Sequence, residues 1–159
     1  MTAPWGVTMG RGVHHRLIAL TLVLLLLRPP SAPAQAGFHT EFKVIVNASQ
    51  TASTIDKAVL ADIFQAKSTR WRDGSRIVPV DHSTQSPLRV TFTREVLGLS
   101  MAAAMTYWMR QVSGGGLRPP IVKETDEDVI AFVASNSGSI AYVSEDAVLP
   151  ASVKVLKIQ

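Results

Sequence analysis

Within nine residues the chain gathers Asp81, His82, Ser83, Thr84, Ser86 and Arg89. Hydroxyls and a guanidinium are hydrogen-bond donors suited to an oxyanion, and a nearby carboxylate can hold the guanidinium in place. The flanking sequence suits this chemistry. An apolar run, Ile77 to Val80, reads as a strand before the loop, and Leu88 to Leu97 reads as a helix after it. Ser86 stands at the N-cap position and Pro87 at the first helical position. The first N–H groups of a helix lack internal partners and form the positive end of its dipole. The N–H groups of residues 88 and 89 would therefore face an anion held by Ser83, Thr84 and Ser86. The competing reading is a loop that only caps its helix. Asn47 and Ser49, in the polar stretch after an earlier strand, are weaker candidates, set against a role as ordinary loop residues.

Other chemistries are poorly served. Ser83 or Ser86, His82 and Asp81 nominally make a nucleophile, a base and an acid, but sequence neighbours rarely meet in relay geometry. No Gly-x-Ser-x-Gly elbow exists. Beyond residue 36 the histidines are His39 and His82, and the chain has no cysteine, so no metal-ligand spacing is present. Gly114-Gly115-Gly116 lacks the Lys-Ser/Thr pair of a phosphate cradle. The residues argue for a binding protein rather than an enzyme, with neither metal nor organic cofactor.

The N-terminus reads as a secretory leader. Arg11, His14, His15 and Arg16 precede the apolar run Leu17 to Leu27, and Ala34-Gln35-Ala36 offers a small-x-small cleavage site. The run falls short of the roughly 20 residues that span a bilayer. The expected division is a signal peptide at 1–36 and one domain at 37–159, in the periplasm. The leader carries three of the sixteen cations and none of the twelve acids, so its removal lowers the formal charge from +4 to +1. A nucleic-acid partner loses its electrostatic support. The 123 residues left suffice for one core, which must hold without disulfides.

The elements that would position the loop follow from periodicity. Phe42 to Val46 and Ser139 to Val143 read as strands, and Val153 to Ile158 as a closing strand. Residues 54–66 read as an amphipathic helix opened by a capping box at Ser53, with Ile55, Val59, Leu60, Ile63 and Phe64 on one face. Lys67, Arg70, Arg72 and Arg76 surround Trp71 in a polar connector, either an anion patch or, by preference, a solvated surface over a packed indole. Ser100 caps a helix over 101–112, whose stripe Met101, Met105, Trp108 and Met109 is expected in the core. Residues 113–120 read as a loop, and Thr125 caps a last helix whose three acids favour its N-terminus. Strands interleaved with four helices define an α/β layer fold with a small mixed sheet.

Ile55 to Phe64, followed by Gln65-Ala66-Lys67 and then Trp71, resembles a stretch of the phosphate-type periplasmic solute-binding proteins of ABC importers. Asn136 to Val143 is similar to that family's Asn-Pro-Gly-Ala-Ile-Gly-Tyr-Val segment. The resemblance covers about residues 42–158 and implies one lobe, the second, of a type II periplasmic-binding-protein-like fold. It implies phosphate or a similar small oxyanion as ligand, at the loop of Ser83, Thr84 and Ser86 with Asp81 in the place of the family's acid, in a substrate-binding component of a phosphate ABC transport system. A membrane permease or a sensor would be the protein partner. The family's loop reads Ser-Gly-Thr, whereas Ser86-Pro87-Leu88 removes one N–H and one hydroxyl. The family's Arg upstream of the loop is replaced by Val78-Pro79-Val80, which leaves Arg89 as the cation within reach. One lobe cannot close over a ligand, so two further arrangements follow: a homodimer that rebuilds a cleft, or a periplasmic protein-interaction or sensory module that has lost ligand capture.

Overall fold

The computed structural model describes residues 41–159, besides the isolated Gly6. The expected leader at 1–36 lies outside the described residues. Six strands form one mixed sheet: β1 Phe42–Asn47, β2 Thr54–Ile55, β3 Val78–His82, β4 Ile121–Lys123, β5 Ser139–Ser144 and β6 Val153–Ile158. Their spatial order is β2-β6-β1-β5-β3-β4. β1 runs antiparallel to β5 and β6. β3 runs parallel to both β4 and β5, and β2 parallel to β6.

Four helices cover the sheet: α1 Lys57–Phe64, α2 Pro87–Glu95, α3 Met101–Ser113 and α4 Asp126–Ser135. Alternation along each strand splits the core in two. Val44, Val46, Ile140 and Tyr142 pack with Leu60, Ile63 and Phe64 of α1 and with Leu88 and Phe92 of α2. Ile45, Val80, Ala141 and Val143 pack with Val129 and Val133 of α4. With both faces covered, the central strands read as nearly unbroken apolar runs.

The structure departs from the sequence reading in three places. Thr54 and Ile55 are not helical: they pair with Lys157 and Ile158, and α1 begins only after Asp56, whose side chain makes no capping bond. Pairing with a distant strand outweighs the local capping pattern, as it can for β-branched residues. Ile121–Lys123 forms an edge strand, where three residues behind Pro119-Pro120 were too short to show a period. The stripe on α3 is not core. Ala104 is that helix's buried residue, while Met105 and Met109 are 53% and 62% exposed.

Candidate functional site

The site lies where the strand connections change direction. From β3 the chain crosses through α2 and α3 to β4 on one side; from β5 it runs to β6 on the other. β3 and β5 are parallel neighbours, so their carboxyl ends border a switch point, the usual ligand crevice of open α/β sheets. β3 pairs with β5 through Val78 and Pro79, and with β4 through Val80 to His82. Past Pro79, side chains take over the bonding between β3 and β5.

Asp81 is the centre of that network. Its carboxylate accepts from the Tyr142 hydroxyl and, at 2.8 Å, from the His82 N–H, and its Oδ2 lies 3.1 Å from Arg89 Nη2. Arg89 also donates to the His82 carbonyl at 2.6 Å, so two bonds fix the guanidinium beside the start of α2. Burial pushes the Asp81 carboxyl above the usual carboxylate range and outweighs the opposing pull of Arg89, Tyr142 and the His82 N–H. Burial, reinforced by the Asp81 charge, pushes the Tyr142 phenol well up, so it remains a donor. Its ring stacks on Phe92 of α2 at 3.9 Å, which locks the hydroxyl's direction.

His82 is buried on the next position. Its Nε2 lies 2.9 Å from the Tyr142 carbonyl and 3.5 Å from Asp126 Oδ1. A carbonyl only accepts, which assigns the proton to Nε2. Asp126 also accepts from the Ser144 N–H at 3.1 Å, joining the start of α4 to the end of β5. Tyr142 and Asp126 were not among the sequence candidates, and His82 was weighed there only as a nominal base or metal ligand. The Ile-Ala-Tyr-Val strand signal was visible, but nothing local tells which strand lies beside β3.

The loop residues lead from β3 into the start of α2. Ser83, through its N–H, bonds the Lys123 carbonyl at 3.1 Å, and its C=O accepts from the Ser86 N–H at 3.0 Å. Thr84 is exposed and Ser83 and Ser86 are half-buried. Ser86 holds the N-cap position with Pro87 next, yet its hydroxyl makes no capping bond and no acid occupies the first turn of α2. α4 differs: Thr125 caps it and Asp126, Glu127 and Asp128 fill its first turn. Asn47 and Ser49 do not join the site. The register places Val46 opposite Ile140, and Pro79 beside the same residue, so Asn47 sits level with the amino end of β3. There its amide donates to the Val133 and Ala134 carbonyls at 2.9 and 3.0 Å, and its Oδ1 accepts from the Ser49 hydroxyl at 2.7 Å. The Asn47 side chain ties the end of α4 to β1, and Ser49 braces that side chain.

No protein-family model matches the sequence, and no curated protein matches it. Solved structures do. An ABC-type phosphate transport receptor from Vibrio cholerae superposes with a TM-score of 0.58 at 16% identity, over 74% of this chain and 45% of that one. A putative phosphate ABC transporter substrate-binding protein with bound phosphate, from Clostridium perfringens, gives 0.59 and 19% over 74% and 44%. A possible phosphate binding protein from Planctomyces limnophilus gives 0.53 and 17% over 74% and 41%. At these identities the likeness establishes the fold: one lobe of a periplasmic-binding-protein-like α/β architecture. The chain spans less than half the length of each of these structures. Among the described residues, no helix is long and apolar enough to cross a membrane.

Proposed function

We propose that this chain binds phosphate or a similar tetrahedral oxyanion at the start of α2, as the substrate-binding component, or a one-lobed relative, of a phosphate ABC transport system. The observation that carries the reading is Arg89, held by Asp81 and the His82 carbonyl beside a helix start that has no acid and no side-chain cap. Ser83, Thr84 and Ser86 would donate hydroxyls, and residues 88 and 89 backbone N–H groups. The fold shared with solute-binding receptors supports binding rather than catalysis. The proposal includes a secretory leader at 1–36, one domain at 37–159, a periplasmic location and a permease or sensor as partner. A single lobe leaves the anion open to water, which weakens charge-assisted bonds, so affinity should be modest. Isothermal titration with phosphate, sulfate and nitrate tests it: saturable heat is expected for an oxyanion, and no heat with any of them at millimolar levels overturns it.

A second reading has its own observation. Met105, Met109 and Val112 leave α3 with an uncovered apolar stripe. In that reading the lobe is an interaction or sensory module, or pairs with a second copy to rebuild a cleft. Light scattering with and without phosphate tests the pairing: mass that stays monomeric at every concentration removes the second copy.

A further inference from the structure

The far edge of the sheet carries a groove that the oxyanion reading does not use. It has a volume of about 530 Å³ and lies between the segment Gln50–Asp56, which includes β2, and the loop Ser68–Asp73. Its apolar lining includes Ile55, Ile63 and Ile77, with Trp71 beside them. The indole is fixed, since Trp71 Nε1 donates to the Gly138 carbonyl at 3.1 Å.

The groove is bordered by unpaired backbone. Lys157 N–H bonds the Ser53 carbonyl at 3.0 Å, and Gln159 N–H bonds the Ile55 carbonyl at 2.9 Å. In a parallel ladder the residue between these two turns its own groups to the opposite edge. The Thr54 N–H and C=O therefore point away from β6, and among the described residues they have no partner. An open edge of this kind is a template for one more strand.

Charge selects the occupant. Arg72 is exposed and makes no hydrogen bond or ion pair among the described residues, and Arg70 spends one Nη1 bond on the Gly74 carbonyl. The acid beside them, Asp73, is consumed by its own turn, where it accepts from the Ser75 N–H at 2.8 Å and the Ser75 hydroxyl at 2.6 Å. Asp56, at the start of α1, has no capping bond and limits how much negative charge the groove accepts.

We infer that this groove binds an extended peptide segment that pairs with Thr54, lays an apolar side chain against Trp71, and sets a single carboxylate on Arg70 and Arg72. The site is separate from the Asp81–Arg89 cluster: its lining reaches β3 only at Ile77, before the strand's amino end, whereas Asp81 and Arg89 lie at and beyond its carboxyl end. The polybasic connector around Trp71 thereby has a use beyond solvation.

The test is selection of a displayed library of random heptapeptides on the full-length chain, with binding of the selected peptides measured by fluorescence polarisation. Enriched sequences should combine an apolar residue with one acid. Arg72→Gln, at an exposed side chain without partners, should weaken them about tenfold, the value of one charge-assisted contact. N-methylation of the pairing amides in the peptide should weaken them by a similar factor, with the protein unchanged. Millimolar phosphate should not displace them. No enrichment, enrichment of basic peptides, or affinity indifferent both to Arg72→Gln and to N-methylation overturns the inference. So does concentration-dependent self-association abolished by Thr54→Pro, which would assign the edge to a second copy.

Discussion

Asp81 and Arg89 meet across the start of α2, with Oδ2 and Nη2 3.1 Å apart and both side chains largely buried. The pair joins the last residues of a central strand to the first turn of the next helix. It puts a cation where the helix dipole already favours an anion, and it makes the candidate site part of the core's polar wiring.

Arg89→Gln should therefore cost both stability and binding. Removing one partner of a largely buried pair strands the other, at about 3 kcal/mol. Urea unfolding should show this loss, and titration of the same variant with phosphate should show no saturable heat. Arg89→Lys, which keeps the charge but not the two-armed geometry, should recover part of the stability.

Tyr142→Phe separates the hydroxyl from the ring. The stack on Phe92 survives, while Asp81 loses a donor in a buried setting. A loss of about 1–3 kcal/mol is expected in chemical denaturation. A near-zero change would show that the hydroxyl's bond to Asp81 contributes nothing net.

The raised Asp81 pKa has a defined consequence for pH. The folded state holds this proton more tightly than the unfolded chain, whose carboxyl titrates near 3.8. Asp81's contribution to stability is therefore largest below that value and falls as pH climbs from 3.8 through the raised folded value. The Asp73 carboxyl, lowered by its hydrogen bonds to Ser75, acts in the opposite sense. Denaturation midpoints from pH 3 to 7 should isolate Asp81 through the difference between wild type and Asp81→Asn. A wild-type advantage that grows with pH would refute the assignment.

Gly138→Ala should destabilise the sheet. A Cβ there would come within 2.2 Å of the Arg76 carbonyl oxygen, a backbone atom that cannot swing away. The Gly138 carbonyl also accepts from Trp71 Nε1 and from the Val78 N–H at 3.0 Å, so a shift would disturb β3 and the indole together. About 1–3 kcal/mol is expected, read as a lowered melting temperature together with a change in tryptophan fluorescence.

Met109→Glu should be nearly silent for folding, within about 0.5 kcal/mol, because the side chain is exposed. A core position would lose several times that. Thermal melts therefore separate the exposed stripe seen here from the buried one that helical spacing suggests.

Much of the architecture was legible because period and punctuation are local. The caps at Ser100 and Thr125 are where the sequence puts them, accepting from the Ala103 and Asp128 N–H groups at 3.2 Å each. Pro87 opens α2, and Leu88 and Phe92 on the helix and Val96 at its C-cap are the hydrophobic residues it buries. The α3 stripe misled because amphipathic spacing shows that a helix has an apolar side without showing that anything covers it.

What the sequence by itself determined is the loop, the strand before it, the helix after it and the presence of Asp81 and Arg89 within one another's reach, since nine residues of strand, turn and helix start fold locally. What only the tertiary structure decided is the company they keep. Tyr142 lies sixty-one residues from Asp81 in the chain, and it reaches that carboxylate because β5 was placed beside β3. Asn47 was sent to the other end of the sheet by the antiparallel register of β1. Strand order is set by packing of both sheet faces at once, and no single stretch of chain encodes it.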